Sequence, residues 1–106
     1  MLVEMRTYTL QIGKTGDYFK LYEAEGLDVQ KRILGRLVGY YRTELGDLNQ
    51  IVHMWGYEDM NERDARRTAL FKDLQWLAYL DKARGYFVSQ KTQLLVPAPF
   101  FKPQWA

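Results

Sequence analysis

The sequence predicts an α+β domain of order β-α-β-β-α-β, with a four-stranded antiparallel sheet and both helical segments on one face. Three observations predict it. Residues 3–10, 37–44, 50–57 and 87–96 read as strands, the first and third in clear alternation. Residues 17–34 and the stretch beginning near 60 carry apolar side chains at helical spacing. Only residues 45–49, with the turn Gly46-Asp47-Leu48-Asn49, separate the second and third strands, which makes them a hairpin. With right-handed crossovers in both halves, the first and third strands lie side by side in the centre, antiparallel.

The first strand, 3–10, sets Val3, Met5 and Thr7 against Glu4, Arg6 and Tyr8. Gly13 and Gly16 bracket the turn that follows. Tyr18, Leu21, Tyr22, Val29 and Ile33 then mark a helix that Thr15 or Asp17 can cap and Gly35 can end, while Gly26 signals a kink or a close packing contact. The third strand, 50–57, puts Ile51, His53, Trp55 and Tyr57 on one face and Val52 and Met54 on the other. Asp59 followed by Glu62 resembles a capping box for a helix near 60–72, and Asp73 can cap a short helix carrying Trp76, Leu77 and Leu80. The tail Pro97-Ala98-Pro99-Phe100-Phe101 cannot be helical and is too apolar to float freely.

Strand alternation also predicts which side chains share a face. Val3 and Met5 go with Val52 and Met54 on a dry face, expected under the helices. Glu4, Arg6 and Tyr8 then share the uncovered face with His53, Trp55 and Tyr57. Exposed aromatic surface of that extent calls for burial, and a second copy of the same sheet supplies it, giving a two-fold homodimer or a higher homo-oligomer.

With 106 residues, the chain reads as one domain, 1–106, able to bury a core without covalent staples. It has no cysteine, which removes disulfides and thiolate chemistry and suits the cytoplasm. The net charge of +2 comes from interspersed signs, so no basic footprint for nucleic acid or membrane is expected. The chain opens directly into a strand pattern without the layout of a signal peptide, and no apolar run is long enough to span a bilayer. Aromatic residues make up 15%, a share that suits cavities and interfaces.

His53, the only histidine, is the leading site candidate, since an unperturbed imidazole titrates near neutrality and can act as acid, base or anion receptor. Glu4 or Arg6 on the neighbouring strand is placed to orient it, making His53 and Glu4 the catalytic candidates. Tyr8, Trp55 and Tyr57 would line a pocket, with Arg6 clamping a carboxylate. The competing reading makes the same face a dimer seam, fixed by ion pairs of Glu4 and Arg6 with each other or with Arg42 and Glu44. Arg63, Arg66 and Arg67 read as a solvated helix surface paired to Glu62 and Asp64, and Trp76, Tyr79 and Leu80 as helix packing. Gly13-Lys14-Thr15 mimics the end of a phosphate-binding loop, but the required earlier glycine is Tyr8. One histidine and no cysteine give no metal-ligand pattern, so neither metal nor cofactor is expected.

Glu4-Met5-Arg6-Thr7-Tyr8, Gly35-Arg36-Leu37-Val38-Gly39-Tyr40, Thr43-Glu44-Leu45-Gly46-Asp47-Leu48-Asn49, Val52-His53-Met54-Trp55 and Leu95-Val96-Pro97-Ala98-Pro99-Phe100 together resemble the NIPSNAP domain, over about residues 2–100. The resemblance implies a ferredoxin-like fold assembled as a dimeric α+β barrel. That superfamily also holds cofactor-free monooxygenases, haem-degrading enzymes and lactone isomerases, and by analogy with it His53 would be the axial residue of any haem. The family supplies no agreed catalytic residues to transfer. The expectation is therefore a domain of undetermined biochemical activity, a homodimeric small-ligand-binding or interaction protein. The alternative is a cofactor-independent monooxygenase or isomerase acting on a small planar organic substrate, with His53 in proton transfer.

Overall fold

The computed structural model describes residues 1–105. In chain order the elements are β1 (Leu2–Leu10), α1 (Thr15–Glu25), α2 (Leu27–Leu34), β2 (Arg36–Arg42), β3 (Gln50–Tyr57), α3 (Met60–Leu70) and α4 (Leu74–Ala83). A 3-10 turn at Arg84–Tyr86 leads into β4 (Phe87–Leu95). The sheet order is β2-β3-β1-β4 with every neighbouring pair antiparallel, as the hairpin and the two crossovers require. This is a ferredoxin-like α+β fold. No helix among the described residues is long and apolar enough to cross a membrane.

The helix expected over 17–34 is divided at Gly26. The Gly26 N–H still reaches the Tyr22 carbonyl at 2.8 Å, and a Cβ there would lie 3.0 Å from the Tyr22 ring and 3.1 Å from the Tyr79 ring. The glycine thus serves both a bend and a close approach of α1 to α4. Neither Thr15 nor Asp17 caps α1; its N-cap is Lys14, which makes no side-chain capping bond. Gly35 ends α2 at φ +93°, a backbone conformation that a side chain would strain. Asp59 and Asp73 cap α3 and α4 by accepting the N–H of Glu62 at 2.8 Å and of Trp76 at 3.0 Å. The capping box at Asp59 is only half made. The Glu62 carboxylate accepts from the Glu58 N–H at 3.2 Å and pairs with Arg36 instead of turning back to Asp59.

Register puts Glu4 opposite Trp55, Arg6 opposite His53 and Tyr8 opposite Ile51, so the face-sharing predicted by alternation holds. The side to which those residues point is the reverse of the expectation. The helices cover the Glu4, Arg6, Tyr8, His53, Trp55 and Tyr57 face, where Ile51, Trp55 and Tyr57 are fully buried together with Tyr18, Tyr22, Leu34, Leu70 and Tyr79. The physical reason is that α1 and α4 themselves present aromatic side chains to this face, and the hydroxyls of Tyr18 and Tyr22 find partners inside the layer. Tyr18 and Tyr40 share a hydroxyl–hydroxyl bond of 2.9 Å, and the Tyr22 hydroxyl donates to Gln30 Oε1 at 2.5 Å. A strand's alternation separates two faces without saying which one receives the helices.

The Val3, Met5, Val52 and Met54 face is therefore the open one. Met5, Val52 and Met54 are half-buried, and Tyr41 beside them is 58% exposed. The apolar tail crosses one end of this face. Val96, Pro97, Phe101 and Pro103 border a shallow groove with Val3, Val38 and Met54. The Trp105 ring lies over Gly56 and leaves no room for a Cβ there.

Candidate functional site

Between the sheet and the helices lies a cavity of about 220 Å³. The central strands supply Arg6, Tyr8 and His53 to its wall, α3 supplies Arg67, and α4 supplies Trp76 and Tyr79. It opens beside the edge strand β4, where the exposed side chains of Phe71, Arg84 and Gln90 stand. Each position follows from local sequence. Period-two alternation brings Arg6, Tyr8 and His53 to one face, and the cap at Asp73 starts α4 so that Trp76 and Tyr79, three apart, both turn inward.

His53 is 1% exposed. The Tyr40 ring stacks on it at a centroid distance of 4.8 Å and 16°, and the Tyr8 ring meets it edge-on at 4.9 Å. The indole Nε1–H of Trp55 donates to His53 Nδ1 at 2.7 Å. Because an indole N–H can only donate, Nδ1 is an acceptor and the neutral ring carries its proton on Nε2. That Nε2 is buried and has no hydrogen-bond partner. Burial first, then the positive charges of Arg6 and Arg67, push the imidazole down from its ordinary value to about 3. At neutral pH His53 is thus an uncharged donor held in one tautomer. A second donor on the same wall is in the same condition: Trp76 Nε1–H is buried and unpartnered.

The charges beside it are unevenly matched. Glu4, fully buried, accepts from Arg63 at 2.8 Å and from Arg6 at 3.3 Å through the same oxygen, Oε2. Arg6 Nε also donates to the Tyr8 hydroxyl at 2.8 Å. Burial works against the charge on Arg6, but Tyr8 and Glu4 outweigh it and raise its pKa. Arg67 has no carboxylate within ion-pair distance among the described residues, and its guanidinium lies 5.4 Å from the centroid of the Phe71 ring. Burial, followed by repulsion from Arg6, holds Arg67 below the ordinary arginine value.

Of the residues singled out from sequence, His53, Arg6 and Tyr8 meet at the cavity wall, while Glu4, Trp55 and Tyr57 stand away from it. Trp55 takes the orienting role expected of Glu4 or Arg6. Glu4 is the counter-ion of two arginines, as the expected pair with Arg6 required, whereas Arg42 and Glu44 pair with each other at the exposed hairpin end. Tyr57, pushed up to about 12 by burial and then by Glu4, keeps a buried hydroxyl without a partner. Arg63 makes the expected pair with Asp64 at 3.0 Å and Arg66 the expected pair with Glu62, but Arg63 also reaches inward to Glu4 and Arg67 borders the cavity, so these two are not the simple solvated surface expected of them. A haem on His53 does not fit, since the ring is sealed between Tyr40, Tyr8 and Trp55 and the space beside it is too small for a macrocycle. No cluster of three or more metal-ligating side chains occurs among the described residues.

The NIPSNAP family model matches residues 3–102. A NipSnap homolog from Dictyostelium discoideum is 30% identical over 94 residues, covering 89% of this chain and 41% of that protein. The human NipSnap homolog 3B is 35% identical over 65 residues, covering 61% of this chain and 26% of that protein. The chain thus spans less than half the length of these curated relatives. The crystal structure of a NIPSNAP family protein with unknown function from Agrobacterium tumefaciens superposes with a TM-score of 0.95 at 38% identity, covering 98% of this chain and 94% of that one. An antibiotic biosynthesis monooxygenase superposes with a TM-score of 0.64 at 12% identity over 93% of this chain and 100% of that one, a likeness of fold alone.

Proposed function

The chain belongs to the NIPSNAP family, and from that premise we propose that it is a homodimeric domain that binds a small planar organic molecule in the cavity beneath its helices. The observation that carries this reading is the His53 Nε2–H, a buried donor without a partner in a residue of the cavity wall. Leaving such a donor unmade costs about 1–3 kcal/mol, which a bound acceptor recovers. The flat aromatic walls and a volume of about 220 Å³ suit a one-ring molecule better than a drug-sized one.

Binding is favoured over proton abstraction. A general base at His53 would have to take a proton at Nδ1, which the Trp55 N–H occupies, or at Nε2, which already carries one. The dimer would form through the open face, where Met5, Tyr41, Val52 and Met54 leave apolar surface partly uncovered that an isologous partner could bury. In that arrangement each protomer keeps its own cavity, and the seam takes no part in it. A cytoplasmic location is in keeping with a chain that has no cysteine.

Saturation-transfer NMR with a panel of one-ring compounds tests the cavity. Gln90→Trp places a bulky side chain at the exposed mouth without disturbing the core. Compounds that bind the native protein should lose their signal in Gln90→Trp while the thermal midpoint stays unchanged. Undiminished binding in that variant would move the site elsewhere.

A further inference from the structure

We propose that the ligand of this cavity is a one-ring planar carboxylate, its charged end held by Arg67 with Arg6 beside it and its ring lying among Tyr8, Trp76 and Tyr79. The inference rests on the reading of the cavity as a ligand site and adds the ligand's chemistry.

Charge is the first ground. Arg6, Arg67 and Arg84 border the cavity, and no aspartate or glutamate does. Arg84 has a counter-ion on the outside in Asp81 at 3.5 Å. Arg6 must share Glu4 with Arg63, so one buried carboxylate serves two guanidinium groups. Arg67 has none within ion-pair distance among the described residues, and the charge of Arg6 works against its own. A partly buried guanidinium without an anion is costly, and an anion arriving from solution removes that cost with charge-assisted hydrogen bonds.

Hydrogen-bond sense is the second ground, independent of charge. Two residues of the wall, His53 and Trp76, each keep a buried N–H without a partner, and both groups are donors, as are the guanidinium groups. An ionised carboxylate accepts only. An amine or amide N–H brought to the same wall would meet donors. The remaining surface is flat and aromatic, which suits a planar ring rather than a bare inorganic anion.

Three probes separate these elements: benzoate, benzamide as its neutral isostere, and acetate as the charge without the ring. Binding is read by saturation transfer and by the shift of the Trp76 indole N–H. Benzoate should bind, with benzamide and acetate each about tenfold weaker or more, the discrimination expected of one charge-assisted contact. Arg67→Gln should weaken benzoate by a similar factor and leave benzamide unchanged, while Arg67→Lys retains part of the benzoate affinity. Both variants are checked for an unchanged thermal midpoint. If benzamide binds as well as benzoate, or Arg67→Gln leaves benzoate unaffected, the carboxylate proposal falls and the cavity remains a ligand site. If no one-ring probe shifts the Trp76 N–H, both fall together.

Discussion

Protonating His53 would cost two things at once: burial of a charge near Arg6 and Arg67, and loss of the bond from the Trp55 indole to Nδ1. In the unfolded chain the same imidazole titrates near its ordinary ~6.5. Its folded value of about 3 is depressed, so it contributes stability that is full above ~6.5 and is lost as pH falls toward 3. Between pH 7 and 5 the native protein should lose about 2 kcal/mol more unfolding free energy than His53→Gln does, measured by denaturant titration at each pH. Parallel pH profiles for the two proteins would contradict a neutral, buried His53. That Arg6, Tyr8 and His53 share a face was legible in the sequence, because strand period is two. The Trp55–His53 bond was not, because contact between residues two apart on a strand is a matter of rotamers rather than of spacing.

Helix α3 shows how an element can hide part of a site. Met60, Arg63, Arg67 and Leu70 recur at spacings of three and four, so the two arginines lie on the stripe that ends in the buried Leu70. Arginine on such a stripe reads as solvent-facing until its buried partner is known, and that partner, Glu4, comes from a strand 59 residues away. The hairpin and the caps at Asp59 and Asp73 were readable because each depends on local chemistry, and strand order because right-handed crossovers leave one arrangement. Gly35 is of the same kind. At φ +93° it closes α2, and a Cβ there would stand 2.9 Å from Arg66 Nη1, which donates to the Ile33 carbonyl. Gly35→Ala should therefore cost about 1–3 kcal/mol in thermal or denaturant unfolding. A loss within experimental error would show that the α2 terminus relaxes freely.

For the whole molecule, the decisive property is which sheet face the helices cover. Hydropathy favours hiding Val3, Val52 and Met54, yet the helices carry Tyr18, Tyr22, Trp76 and Tyr79 and pack on the face that offers Tyr8, His53 and Trp55. A face holding both aromatic rings and charges is ambiguous from one strand alone, and only the complementary residues on the helices resolve it. The His53 site and the open face lie on opposite sides of one sheet, so the proposed assembly and the proposed ligand binding would not compete. A crystal structure of the protein grown with benzoate tests this most directly. It should contain a dimer packed through Met5, Tyr41, Val52 and Met54, with one benzoate per protomer under the helices and its carboxylate at Arg67. Benzoate lodged between the two sheets, with the cavities beneath the helices empty, would contradict it.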